Sequence, residues 1–185
     1  MDDDKIIELY LAKSEEAIVE TNAKYGKLCK YIAMNILQNS EDSEECVNDT
    51  YHAAWNAIPL NKPERFSAFI GKITRNLALK KYEFITAAKR NPEVQVSLSE
   101  LSECVSNHEY VETELENKRI ERAISDFLRQ QSIEQRTVFI RRYWFFDSID
   151  CISKQLGISK SKVTSMLYQT RRKLREFLES EDIQI

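Results

Sequence analysis

The stretch Leu156–Arg175, LGISKSKVTSMLYQTRRKLR, decides how the chain is read. Leu156, Ile158, Val163, Leu167 and Leu174 carry an apolar stripe, while Lys160, Lys162, Arg171, Arg172, Lys173 and Arg175 leave the stretch without an acid. Just before it, Ile149, Ile152 and Leu156 fall on one face of a short helix from Ser148 to Leu156. Gly157 supplies the left-handed residue that ends this helix, and Ser159 can cap the next. In the second helix Val163, Met166 or Leu167, Thr170 and Leu174 face inward. Ser161, Lys162, Ser165, Tyr168, Gln169 and Arg172 then face outward. Serines let a helix approach a major groove, and lysine, glutamine and arginine reach base edges or phosphates. The segment reads as a helix-turn-helix built for a polyanion.

The remaining sequence is helical in pattern as well. Three Gly and three Pro in 185 residues leave few turn formers, and the 42% apolar fraction recurs at period 3.6, so the expected class is all-α. The net charge of -3 conceals blocks of opposite sign. Acids dominate from Asp2 to Glu20. From Arg65 to Arg90 the bases Arg65, Lys72, Arg75, Lys80, Lys81, Lys89 and Arg90 face only Glu83. Glutamates dominate again from Glu93 to Glu121, before the basic stretch quoted above.

Helical periodicity fails in NPEVQVSLSELSECVSNHEY, which opens with Asn91-Pro92 and is rich in serine. Residues 91–112 are therefore expected to be a flexible acidic linker between two small helical domains, 1–90 and 113–185. Extended, such a linker reaches about 75 Å.

Cys29, Cys46, Cys104 and Cys151 lie far apart, with no C-x-x-C pair and no histidine at ligand spacing, so reduced thiols and no metal or cofactor are expected. MDDDKIIELY lacks the layout of a signal peptide, and no apolar run approaches a membrane span, which implies a cytoplasmic protein. No G-x-x-x-x-G-K-[ST] loop is present, and His52 and His108 sit near no evident nucleophile. No enzymatic activity is expected.

The segment EQRTVFIRRYWFFDSIDCISKQLGISKSKVTSMLYQTRRKLREFL, from Glu134, resembles the fourth conserved region of bacterial sigma factors. EDSEECVNDTYHAAWNAI, Glu41 to Ile58, is similar to the sigma segment written D-L-V-Q-E-T-F-x-x-A-W, with Asn48 and Asp49 in place of Gln-Glu. FSAFIGKITRNLALKKY, Phe66 to Tyr82, is similar to F-x-x-W-L-x-x-I-A-R-N-x-x-x-D, with Phe69 for Trp and Lys80 for Asp. Order and separation match the small two-domain sigma factors of the extracytoplasmic-function type.

This resemblance implies that the protein docks on RNA polymerase core, on its beta and beta-prime subunits, and directs it to promoter DNA. On the helix starting near Ser43, Val47, Tyr51, Ala54 and Ile58 would pack inward, and Glu45, Asn48, Asp49 and His52 would face the polymerase clamp. On the next, Phe66, Phe69, Ile70, Ile73 and Leu77 would be inward, with Lys72, Arg75, Asn76 and Lys80 on the minus-10 element. Ser161, Lys162, Ser165, Gln169, Arg171, Arg172, Lys173 and Arg175 would hold the minus-35 element. The linker glutamates would thread toward the active-centre cleft, or would merely keep the linker soluble and extended. Trp55 reads as a core residue. Phe145 and Phe146 stand where the family has an acid and glycine; they fill the core or form a patch for an inhibitory, anti-sigma partner, whose existence the sequence leaves open. Two alternatives compete: a self-sufficient helix-turn-helix regulator, and a helical adaptor that never touches DNA.

Overall fold

The computed structural model describes residues 1–60, 62–85, 90–102, 114–181 and 183, and of 114–117 the backbone alone. Among the described residues every regular element is a helix: α1 Asp3–Leu11, α2 Glu16–Leu37, α3 Ser40–Ala57, α4 Phe66–Phe84, α5 Pro92–Ser102, α6 Glu114–Gln130, α7 Ile133–Tyr143, α8 Ile149–Leu156 and α9 Lys160–Ser180. The expected all-α class holds. Short polar side chains start four of them: the side chains of Asn39, Ser132, Ser148 and Ser159 accept from the amides of Asp42, Gln135, Cys151 and Lys162 at 2.9–3.2 Å. Each satisfies one of the backbone donors that a helix start leaves without a partner. The chain divides into two compact units, Met1–Asn91 and Pro92–Ile185.

In the first unit α2, α3 and α4 pack on one another and α1 lies against α2. Ile6, Ile7 and Tyr10 of α1 join Val47, Tyr51, Ala54, Ile58, Phe66 and Ile70 in one buried cluster. The expected inward face of α3 is thus observed. On α4 the fully buried line is Phe66, Ile70, Thr74, Ala78 and Tyr82, with Phe69, Ile73 and Leu77 half-buried beside it. Small polar residues make the shift possible: Thr50 Oγ1 lies 3.2 Å from Thr74 Oγ1, and each bonds the carbonyl four residues back in its own helix. Hydroxyls satisfied in this way are buried without an orphaned group. Gly26 leaves room on α2 where Tyr51 Oη donates to Asn22 Oδ1 at 2.9 Å; a Cβ there would collide with Asn22.

In the second unit α9 packs against α6, α7 and α8. Phe127, Val138, Phe139, Ile152, Val163, Leu167, Leu174 and Leu178 form its core. Half of the expected linker departs from expectation, because Pro92–Ser102 is helical and belongs to this unit. Its Val94 and Ser97 are buried and Leu101 packs on the core. At 1.5 Å per residue it cannot supply the extended reach assumed from sequence. Residues 103–113, with Cys104, His108 and the glutamates Glu103, Glu109 and Glu112, lie outside the described residues.

Phe146 is 2% exposed at φ +56°, so it is an interior residue, whereas Phe145 is half-buried. Trp55 is half-buried and packs on the core, edge-on to Tyr10 with Lys13 Nζ over its ring. Cys29 and Cys46 are buried free thiols and Cys151 a half-buried one. Burial, with Asp49 nearby, pushes the Cys46 thiol up to about 12, which keeps it protonated and inert. No helix among the described residues is long and apolar enough to cross a membrane.

Candidate nucleic-acid interface

Helix α8 ends at Gly157, whose φ of +65° favours glycine although nothing lies within 4 Å of where a Cβ would stand. The backbone alone therefore fixes this residue. Ser153 Oγ donates to the Ile158 carbonyl at 2.6 Å and closes the turn. Asp150 then joins the two helices, 2.7 Å from Lys154 Nζ and 2.6 Å from Lys160 Nζ. Hydrogen bonds from these lysines hold its carboxyl down at about 2.

From this turn α9 presents Ser161, Lys162, Ser165, Tyr168, Gln169, Arg172, Lys173 and Arg175 to solvent, while Val163, Met166, Leu167, Thr170 and Leu174 are buried. The division expected from sequence holds at every one of these positions. The first turn of α9 contains no acid. A helix N-terminus is electropositive, so Lys160 and Lys162 there oppose the dipole, at a cost of roughly 0.3–1 kcal/mol each when exposed. A phosphate or base edge at this end would turn that cost into attraction. Two neighbours lessen it now: Asp150 beside Lys160, and Glu134 of α7, whose Oε1 lies 2.6 Å from Lys162 Nζ. Among the described residues Arg172 and Arg175 pair within their own helix, at Glu176 and Glu179.

Arg171 differs from the other seven residues expected at this surface. Its side chain is 16% exposed, and its guanidinium donates to Tyr143 Oη at 2.7 Å and lies 3.5 Å from Glu100. It faces the protein, not the open side of the helix.

In the first unit Glu45, Asn48, Asp49 and His52 are all exposed at the i, i+3, i+4, i+7 spacing that makes one helix face. Lys81 of α4 lies 2.8 Å from Asp42 and 2.5 Å from Glu45, and Lys30 of α2 lies 2.8 Å from Glu44. Asp49 has no such cation among the described residues. It is the acid of this face most available to an external one. On α4, Lys72, Asn76 and Lys80 are exposed one turn apart, and Arg75 beside them is half-buried, its guanidinium pKa lowered by burial. The preceding loop is anchored by Phe66, whose ring packs against Tyr10 and Tyr25 at 6.0 and 5.6 Å between centroids.

Two further residues of these faces, Tyr168 and Lys81, carry no site role in the sequence reading, although Tyr168 is expected to face outward. Tyr168, 60% exposed between Ser165 and Gln169, is the large ring on the open face of α9. Lys81 was counted in a basic block, but it neutralises acids of α3. Its position nine residues after Lys72, off that stripe, was the available signal.

Residues 23–84 match the model of the sigma-70 region 2 family. The match begins within α2 and ends with α4, so it contains the acidic face, the basic stripe and the loop between them. It covers about a third of the chain and supports a sigma factor of the sigma-70 family, with a role in polymerase binding and promoter recognition. No curated protein matches the chain.

Proposed function

We propose that this chain is an alternative sigma factor of the extracytoplasmic-function type, which binds RNA polymerase core and carries it to a minus-10 and a minus-35 element. The observation that carries this reading is the combination, in one chain, of a sigma-70 region 2 match with a capped helix-turn-helix whose second helix holds no acid from Lys160 to Arg175. Glu45, Asn48, Asp49 and His52 form the core-binding face, toward basic residues of the beta-prime clamp. Lys72, Arg75, Asn76 and Lys80 take the minus-10 element, where charge and stacking hold an opened strand. Ser161, Lys162, Ser165 and Gln169 read minus-35 base edges, and Arg172, Lys173 and Arg175 contact the backbone. Arg171 acts from behind this surface. The role is non-catalytic, in the compartment where transcription occurs.

A self-sufficient regulator would bind its site tightly alone. Here the acidic N-terminal block opposes phosphate attraction, so free protein should bind promoter duplex weakly at physiological salt. Gel filtration of the full chain with bacterial core polymerase, followed by binding to promoter duplex with and without core, tests both points. Co-elution with core and core-dependent binding are expected. Tight, sequence-specific binding by the free chain with no co-elution would establish the regulator instead.

A further inference from the structure

Among the described residues of the second unit, α7 holds a fully buried arginine, outside the helix-turn-helix. Arg142 is 1% exposed, and its guanidinium donates to Glu93 at 2.6 Å, to both carboxylate oxygens of Glu100 at 3.3 Å, and to the Asp147 carbonyl at 3.2 Å. Burial depresses this guanidinium, but its hydrogen bonds to Glu100 and Glu93 and the attraction of their charges together outweigh burial and raise its pKa. The same Glu100 accepts from Tyr143 Oη at 2.9 Å, and Tyr143 Oη accepts in turn from Arg171 of α9 at 2.7 Å. Glu93 and Glu100 are seven residues apart, two turns of α5, with Val94, Ser97 and Leu101 packed beside them. The arrangement thus runs from α5 through α7 to the middle of α9, pairing two carboxylates with two guanidiniums. A network of this kind has directional, charge-assisted bonds where an apolar contact would allow sliding.

We propose that α5 is a brace that sets the pose of the recognition helix, with Glu100 as its positioning residue acting through Tyr143 and Arg171. The inference rests on the reading of α9 as the minus-35 helix. It makes part of an apparent linker a component of promoter selectivity, and it assigns Arg171 to holding α9 rather than to holding DNA.

The test uses the full chain with Glu100→Gln, Tyr143→Phe and the double variant. Tyr143→Phe keeps the ring in the core and removes only the bridging hydroxyl, so it remains informative if Glu100→Gln folds poorly. Amide hydrogen exchange of free protein should quicken in α9 around Leu167–Arg171 by about tenfold in either single variant, with α2–α4 unchanged, and the double should be no worse than the more severe single, as expected for one shared network. Holoenzyme transcription from singly substituted minus-35 elements should then show discrimination reduced severalfold. Unchanged exchange in α9 overturns the brace whether or not the chain initiates transcription. Quickened exchange with full discrimination, or tighter promoter binding, overturns the positioning role. If wild-type holoenzyme initiates nowhere, the sigma-factor reading fails, and exchange still decides the brace.

Discussion

Lys162, on the open face of α9, lies 2.6 Å from Glu134 at the start of α7. A residue expected to read a base edge is thus held by an exposed carboxylate that it must leave to do so. Exposed pairs of this kind are worth about 0–1 kcal/mol, so the release is easy. Lys162→Ala should cost about 1–3 kcal/mol at the proper minus-35 element and relax preference at one base pair. Glu134→Gln should instead strengthen holoenzyme binding to all sequences by a few-fold or less. Titration of holoenzyme against substituted minus-35 duplexes separates the two effects.

Asp49 tests the polymerase face. Its neighbour Glu45 is paired with Lys81, whereas Asp49 has no ion pair among the described residues. Asp49→Arg should weaken competition for core by several kcal/mol through like-charge contact. Because Asp49 is exposed, the helix content and melting temperature should be unchanged. Equal competition by wild type and a folded Asp49→Arg would remove this face from the core interface.

Phe146 combines a buried ring with a left-handed backbone at φ +56°. Loss of a buried phenylalanine ring costs about 3–5 kcal/mol, so Phe146→Ala should be strongly destabilising. Phe146→Gly removes one more carbon, yet it should equal or exceed Phe146→Ala in stability, since glycine takes φ > 0 freely and the strain of other residues is of order 1 kcal/mol. Urea midpoints of the two variants measure this inversion.

Asp150 predicts an acid dependence. Its folded pKa of about 2 lies below the ordinary 3.8, so the stabilisation it gives is complete above about pH 4 and is lost as pH falls through about 2. Asp150→Asn should lower the unfolding midpoint at pH 7, and the difference from wild type should close at the acid end. The pair is exposed, so added salt should narrow the difference too.

The legibility of this chain followed the location of its apolar residues. The α8–α9 turn could be read in full, because Gly157, Ser159 and the Val163, Leu167, Leu174 stripe are local signals that agree with one another. On α4 the expected inward residues Phe66 and Ile70 are buried, but Phe69, Ile73 and Leu77 are half-buried beside a line that continues through Thr74, Ala78 and Tyr82, since Thr74 is buried through a hydroxyl bond to its own helix and reads as polar. α5 was unreadable for a related reason. Its packed side holds Ser97 between Glu93 and Glu100, and the partners of these two glutamates, Arg142 and Arg171, lie more than forty residues away in sequence. Charge compensation over that distance leaves no periodic trace. The same compensation drew Arg171 out of the row of outward bases, to which its place in QTRRKLR had assigned it.

The most direct test of the account is transcription. Purified full chain is added to bacterial core polymerase on fragmented DNA of its own genome, and the 5′ ends of the transcripts are mapped. The account predicts discrete starts, absent with core alone, that share upstream minus-10 and minus-35 elements and are lost with Asp49→Arg. Random starts indistinguishable from those of core alone, given intact co-elution with core, would contradict it.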